Sequence, residues 1–199
     1  MSTYTFTKKD RKEREGYMYD LYTFKSMYNF KYFVEVEHRD ANVKIVKFFL
    51  RDHRHSENKY SLTLIPEQKK NITDPKTGKK KEYCGTGAGH FLRVLNTMLA
   101  ISLEYYREDP TVSFGFMGAP TLEEKDEEKN KKNINPDGTI KNTTRFRIYR
   151  TQALNYFPED KFEHIQFTNS SSYVIRNKVN KDLDKNLVKK YHDDYIRNM

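Results

Sequence analysis

Three groups of residues in this chain have the types and the spacing to do chemistry. The first is the glycine-rich run Cys84-Gly85-Thr86-Gly87-Ala88-Gly89-His90, which leads into an apolar helical segment. Glycines let backbone N–H groups approach an anion, and a helix N-terminus adds partial positive charge. Lys79, Lys80 and Lys81 precede the run and Arg93 follows one turn in. With Gly85, Gly87 and Gly89 they make a candidate phosphate cradle. The run is neither a dinucleotide fingerprint nor a Walker loop: no apolar strand leads into it, the third glycine comes too early, and no Gly-Lys-Ser/Thr is present. The plainer reading is a hinge between a hairpin and a core helix. The second group is Thr143–Arg150 (TTRFRIYR). Read as a strand, it puts Thr143, Arg145, Arg147 and Tyr149 on one face. The two arginines could then hold phosphates while Tyr149 stacks on a base. Alternatively, the arginines pair with Glu35 and Glu37 of a neighbouring strand on a solvated sheet face. The third group is Arg51-Asp52-His53-Arg54-His55-Ser56-Glu57. His53 and His55 could ligate a metal or serve as general acid and base in phosphodiester cleavage; a solvated turn is the plainer reading. Cys84 beside a helix start is either a nucleophile of lowered pKa or an ordinary loop cysteine.

Composition narrows the classes. Net charge is +9 over 199 residues, and it is uneven. Gln68–Glu82 holds six lysines against two acids. Such an excess favours a polyanionic or acidic partner: nucleic acid, a nucleotide, or a protein. A genome rich in Lys, Asn and Tyr codons would give similar surfaces without function. No apolar run reaches the roughly 18 residues of a membrane span. Residues 1–16 lack the apolar core of a signal peptide. One cysteine excludes an internal disulfide. Together these point to the cytoplasm, with no membrane, no cofactor and no metal expected.

The elements that must position these residues follow from periodicity. Phe30–His38 alternates as a strand; after a short turn Val43–Arg51, with apolar residues on both faces, reads as a central strand, and Ser61–Ile65 reads as a third. Residues 66–84 form a Lys-rich loop or hairpin. Phe91, Leu95, Met98 and Tyr105 share one face of a long helix at about 88–107, wide enough to be buried on a sheet. Thr111–Met117 is a strand, predicted to pair with Thr143–Arg150 around a charged insertion at 121–142. Gln152–Phe157 reads as a helical turn or two, and Phe162–Thr168 with Tyr173–Arg176 as a hairpin. The chain ends in an amphipathic helix. Residues 1–29 read as an irregular or short helical arm. The expected fold is α+β, a single domain spanning 1–199. A mostly antiparallel sheet of five to seven strands packs on one long central helix.

Asn96-Thr97, Pro110, Gly118-Ala119-Pro120-Thr121, Thr144–Arg150 and Ser172–Lys178 together resemble a family of small bacterial domains. Those domains occur mainly in Bacteroidetes and their mobile elements. The resemblance covers roughly 30–178. This chain departs from it by inserting about twenty residues before Thr143, in place of a direct turn. The family carries no established activity, so the resemblance implies a fold and no mechanism. The sequence therefore supports a non-enzymatic module binding nucleic acid or nucleotide phosphate. Its alternatives are a protein-binding accessory factor of inhibitor or immunity type, from a phage or mobile element, and a nuclease-like toxin using His53 and His55.

Overall fold

The computed structural model describes residues 2–27, 29–50, 70–73, 80–83, 88–118, 124 and 131–197. The predicted strand Ser61–Ile65 lies outside the described residues.

One seven-stranded sheet organises the chain, in the order β1-β2-β3-β4-β7-β9-β8. The first four strands, β1 (Phe6–Arg14), β2 (Tyr17–Lys25), β3 (Lys31–Arg39) and β4 (Val43–Leu50), form an antiparallel meander. The β1–β2 hairpin corrects the expectation of an irregular or helical arm. Its turn is Glu15-Gly16, with φ of 52° and 78°. Two consecutive left-handed residues match the turn to the twist of the strands. Residues β5 (Lys70–Thr73) and β6 (Lys80–Tyr83) pair as a separate two-stranded hairpin.

The chain then runs through α1 (Ala88–Glu108) into β7 (Ser113–Met117), which lies parallel to β4. β9 (Ser172–Asn177) pairs antiparallel with β7, and β8 (Phe162–Phe167) closes the sheet beyond it. β7 therefore pairs with β4 and β9, and not with 143–150.

Thr144–Tyr156 is a helix, α2, where a strand was expected over 143–150. Thr143 caps it, its Oγ1 accepting from Phe146 N at 3.2 Å and donating to Gly118 O at 2.6 Å. Phe146, Tyr149 and Ala153 then fall on one buried face at helical spacing. Gly118 allows the approach: a Cβ there would lie 2.3 Å from Phe146 N.

The two helices α1 and α2 cover one face of the sheet. Val94, Leu95, Met98 and Ile101 of α1 pack with Tyr22, Phe24, Tyr32, Val34 and Phe48, joined by Phe146 and Tyr149 of α2. The last helix, α3 (Lys185–Arg197), lies on the other face. Val188 and Leu187 pack there with Val43, Ile45, Ile165 and Phe167.

Part of the charged insertion is built into this frame. Ile134 and Ile140 bridge across the Asn135–Gly138 turn, and Ile140 is buried. Its carbonyl accepts from Ser171 Oγ at 2.7 Å.

Candidate functional site

The residues expected to form a phosphate cradle are not brought together as one. Gly85, Gly87, Lys79, Cys84, His53 and His55 lie outside the described residues. Gly89 is in the first turn of α1, and Lys80 and Lys81 are in β6. Arg93 is committed to the chain's own start. Its Nε and Nη2 donate to Thr3 O at 3.1 and 2.9 Å, and its guanidinium lies 4.3 Å over the Tyr4 ring. Tyr4 N donates to Thr97 Oγ1 at 2.9 Å, so α1 grips the segment that leads into β1.

The Arg145–Arg147–Tyr149 row does not exist as a strand face. In α2, Arg145 is 4% and Tyr149 6% exposed. Burial lowers the guanidinium pKa of Arg145 and raises that of the Tyr149 phenol. Tyr149 stacks on Phe91 with centroids 6.2 Å apart, so its ring is core and offers no base platform. Arg147 turns back on the helix start, donating to Asn142 O at 2.7 Å and Thr144 Oγ1 at 3.0 Å.

Glu35 and Glu37 are buried, where a solvated face was expected. Glu35 accepts from Arg14 at 2.5 Å. Glu37 accepts from Arg39 at 2.7 Å and from Lys47. Burial would raise the Glu37 carboxyl pKa, but those two cations outweigh it and hold it below the usual value.

On the helix-covered face lies a polar cluster that sequence reading missed. The Asp20 carboxylate, with its side chain fully buried, accepts from Arg11 Nε at 2.8 Å, Lys8 Nζ at 3.0 Å and Tyr105 OH at 2.5 Å. His38 Nε2 is 2.9 Å away, and Tyr22 OH donates to Tyr105 OH at 3.0 Å. Burial opposes ionisation, yet hydrogen bonds from Arg11, Tyr105, Lys8 and His38 outweigh it and hold Asp20 well below the usual carboxylate range. Burial, then nearby Lys44, outweighs the attraction of Asp20 and lowers the His38 pKa. The cluster ties β1, β2, β3 and α1 together. One signal was readable: Asp20 sits two residues before Tyr22, on the inward side of β2.

A second constellation has the atom order of a hydrolase triad. Ser170 Oγ lies 2.7 Å from His192 Nε2, and His192 Nδ1 lies 2.9 Å from Asp193 Oδ1. Its surroundings argue against nucleophilic use. Ser170 is 6% exposed and its hydroxyl also donates to Phe167 O at 3.2 Å. A triad serine must reach its substrate, with donors poised for the oxyanion. Here the imidazole stacks on Phe167 at 4.0 Å and pins α3 to the β8–β9 turn.

The remaining feature is β1 itself. It is one edge of the sheet, and Thr7–Glu13 are all exposed. Lys8, Lys9, Arg11, Lys12 and Arg14 face Asp10 and Glu13, five cations against two acids within the strand. A register shift between Lys8 and Arg11 bulges the edge. Lys9 and Lys12 have no ion pair among the described residues.

Among the described residues no cluster of three or more His, Cys, Asp or Glu could hold a metal ion. No described helix is long and apolar enough to cross a membrane. No family model, curated protein or solved structure matches the chain.

Proposed function

We propose that this chain is a non-enzymatic binding module that engages nucleic-acid phosphates through β1. The observation that supports the reading is the exposed basic edge strand, with five cations over Lys8–Arg14. Phosphate contacts come chiefly from Lys, Arg and backbone N–H groups, and an edge strand supplies all of these. Asp20 and Glu35 hold Lys8, Arg11 and Arg14 in place, and Lys9 and Lys12, beside Asp10 and Glu13, are the cations of the strand with no ion pair among the described residues. This moves the reading away from Arg145, Arg147 and Tyr149 and onto a strand that looked like an arm.

The test is fluorescence anisotropy with a labelled single-stranded and a labelled duplex oligonucleotide, from about 50 to about 200 mM salt. Affinity falls linearly on logarithmic axes. The paired change Lys9→Glu and Lys12→Glu weakens binding and lowers the slope by about two. If neither oligonucleotide binds at low salt, the reading fails. If the double variant binds as tightly as wild type, the lysines serve only to keep an open edge from pairing with other sheets.

A further inference from the structure

At the opposite end of the sheet, β8 and α3 enclose a groove of about 520 Å³. One wall is the five consecutive residues Glu163–Phe167 of β8. Successive side chains of a strand point to opposite faces, so a groove touching all five follows the strand's backbone edge. β8 is the terminal strand, paired with β9 on one side and with no described residue on the other. The second wall is Lys185, Val188, Lys189 and His192, one face of α3 at helical spacing. Ile165, Phe167 and Val188 give the groove apolar contact.

Each of its acids has a partner in the chain, though His192 neutralises Asp193 only when protonated. Glu163 takes Arg176 at 2.9 Å and Lys185 at 3.9 Å, and Asp193 takes His192 at 2.9 Å. The Lys185 side chain remains 82% exposed. Lys189 is exposed and has no ion pair among the described residues. Arg176, Lys185 and Lys189 outnumber Glu163 and Asp193 three to two, so the groove and its ion pairs are net positive by one charge.

We propose that this groove takes an extended acidic peptide, added as a strand to the free edge of β8. The edge, unpaired among the described residues, supplies main-chain hydrogen bonds, α3 supplies pockets for alternate side chains, and Lys185 and Lys189 meet carboxylates. A single-stranded nucleic acid fits less well. It would need an open aromatic face for stacking, and the Phe167 face is covered by His192 at 4.0 Å. The inference is independent of the β1 reading and stands at the far edge of the same sheet.

The experiment selects a displayed library of random nonapeptides on the full chain, with a parallel selection on the Lys185→Glu, Lys189→Glu variant. Both positions are exposed, so the variant retains the wild-type far-ultraviolet circular dichroism and thermal midpoint. Wild type enriches peptides with acidic residues at alternate positions. The best of them binds the variant on the order of tenfold more weakly. The same peptide carrying N-methyl groups on alternate amides loses binding, because strand addition needs those N–H groups. No enrichment overturns the proposal, as does enrichment without acidic residues. A peptide that survives N-methylation is adsorbed by charge alone and also overturns it. If a labelled oligonucleotide loses binding in this variant, the groove belongs to nucleic acid instead.

Discussion

Replacing Asp20 with Asn tests how much the buried cluster contributes to the fold. The change keeps the shape and removes the charge. Hydrogen bonds to a charged group contribute about 1.5–3 kcal/mol each when fully buried. Lys8 and Arg11 have side chains 45% and 54% exposed, so water replaces much of what they lose. The bond from Tyr105 is buried, and that from His38 is partly so. Counting full value for Tyr105 and a fraction for the others gives a loss of about 3 kcal/mol. For a domain of this size that is a fall in melting temperature of about 6–12 °C. The pH dependence separates charge from shape. The folded-state pKa of Asp20 is depressed, so its contribution is present above the unfolded value of about 3.9 and is lost as pH falls below it. The gap between wild type and the variant should be full at pH 7 and narrow below about pH 4. His38 acts in the same direction. Its folded pKa is also lowered, so acid favours the unfolded chain from about pH 6.5 downward in both proteins. Urea titrations followed by tyrosine fluorescence give the free energies, since the chain has 15 Tyr and no Trp. A gap that stays constant from neutral pH to acid would refute the argument, because shape alone would then account for it.

Three further outcomes follow from the packing around β7 and α2. Gly118→Ala should cost about 3 kcal/mol or more, since its Cβ would lie 2.3 and 2.6 Å from backbone atoms of Phe146 that cannot swing aside. Gly115→Ala should cost about 1 kcal/mol, because the clash is with the movable end of Ile45 at 2.7 Å; equal melting temperatures for the two variants would contradict the geometry. Thr143→Ala removes the α2 cap and the bond to Gly118 O, for about 1–2 kcal/mol by urea titration, and Thr143→Ser should recover most of it.

How much of this was legible depends on how far each pattern extended. The alternation in Lys31–Arg39 is long and clean, Val43–Leu50 is apolar on both faces as a central strand is, and both are strands. An α+β chain with a mostly antiparallel sheet follows from such segments. Thr143–Arg150 misleads because eight residues of TTRFRIYR satisfy a period of two. The helical spacing emerges only when Phe146 and Tyr149 are read on to Ala153 and Phe157, beyond that window. Phe6–Arg14 carries almost no inward apolar residues, because an edge strand needs none, so its pairing is invisible without Tyr17–Lys25 as partner. The candidate cations failed for a related reason. An arginine looks the same in sequence whether it meets solvent or turns inward, and Arg93 and Arg145 are both engaged by their own chain. Asp20 was passed over because a lone acid among aromatics has no spacing signature. Its importance comes from Lys8, Arg11, His38 and Tyr105, which the topology brings in from three other elements.

Among the described residues the sheet has two open ends of different character, and that makes the two binding readings separable. β1 and β8 are six strand spacings apart, about 29 Å at roughly 4.8 Å per step. That is more than three Debye lengths at physiological salt, where the screening distance is about 8 Å. Charge changes at one edge are therefore screened from a ligand at the other. Changes at Lys9 and Lys12 should weaken an oligonucleotide and leave an acidic peptide unaffected, and changes at Lys185 and Lys189 should do the reverse. Binding of the two ligands together should be additive, with neither shifting the other's affinity by more than about twofold. If either double variant weakened both ligands by a similar factor, one surface would be serving both. The assignment of separate partners to the two edges would then be wrong.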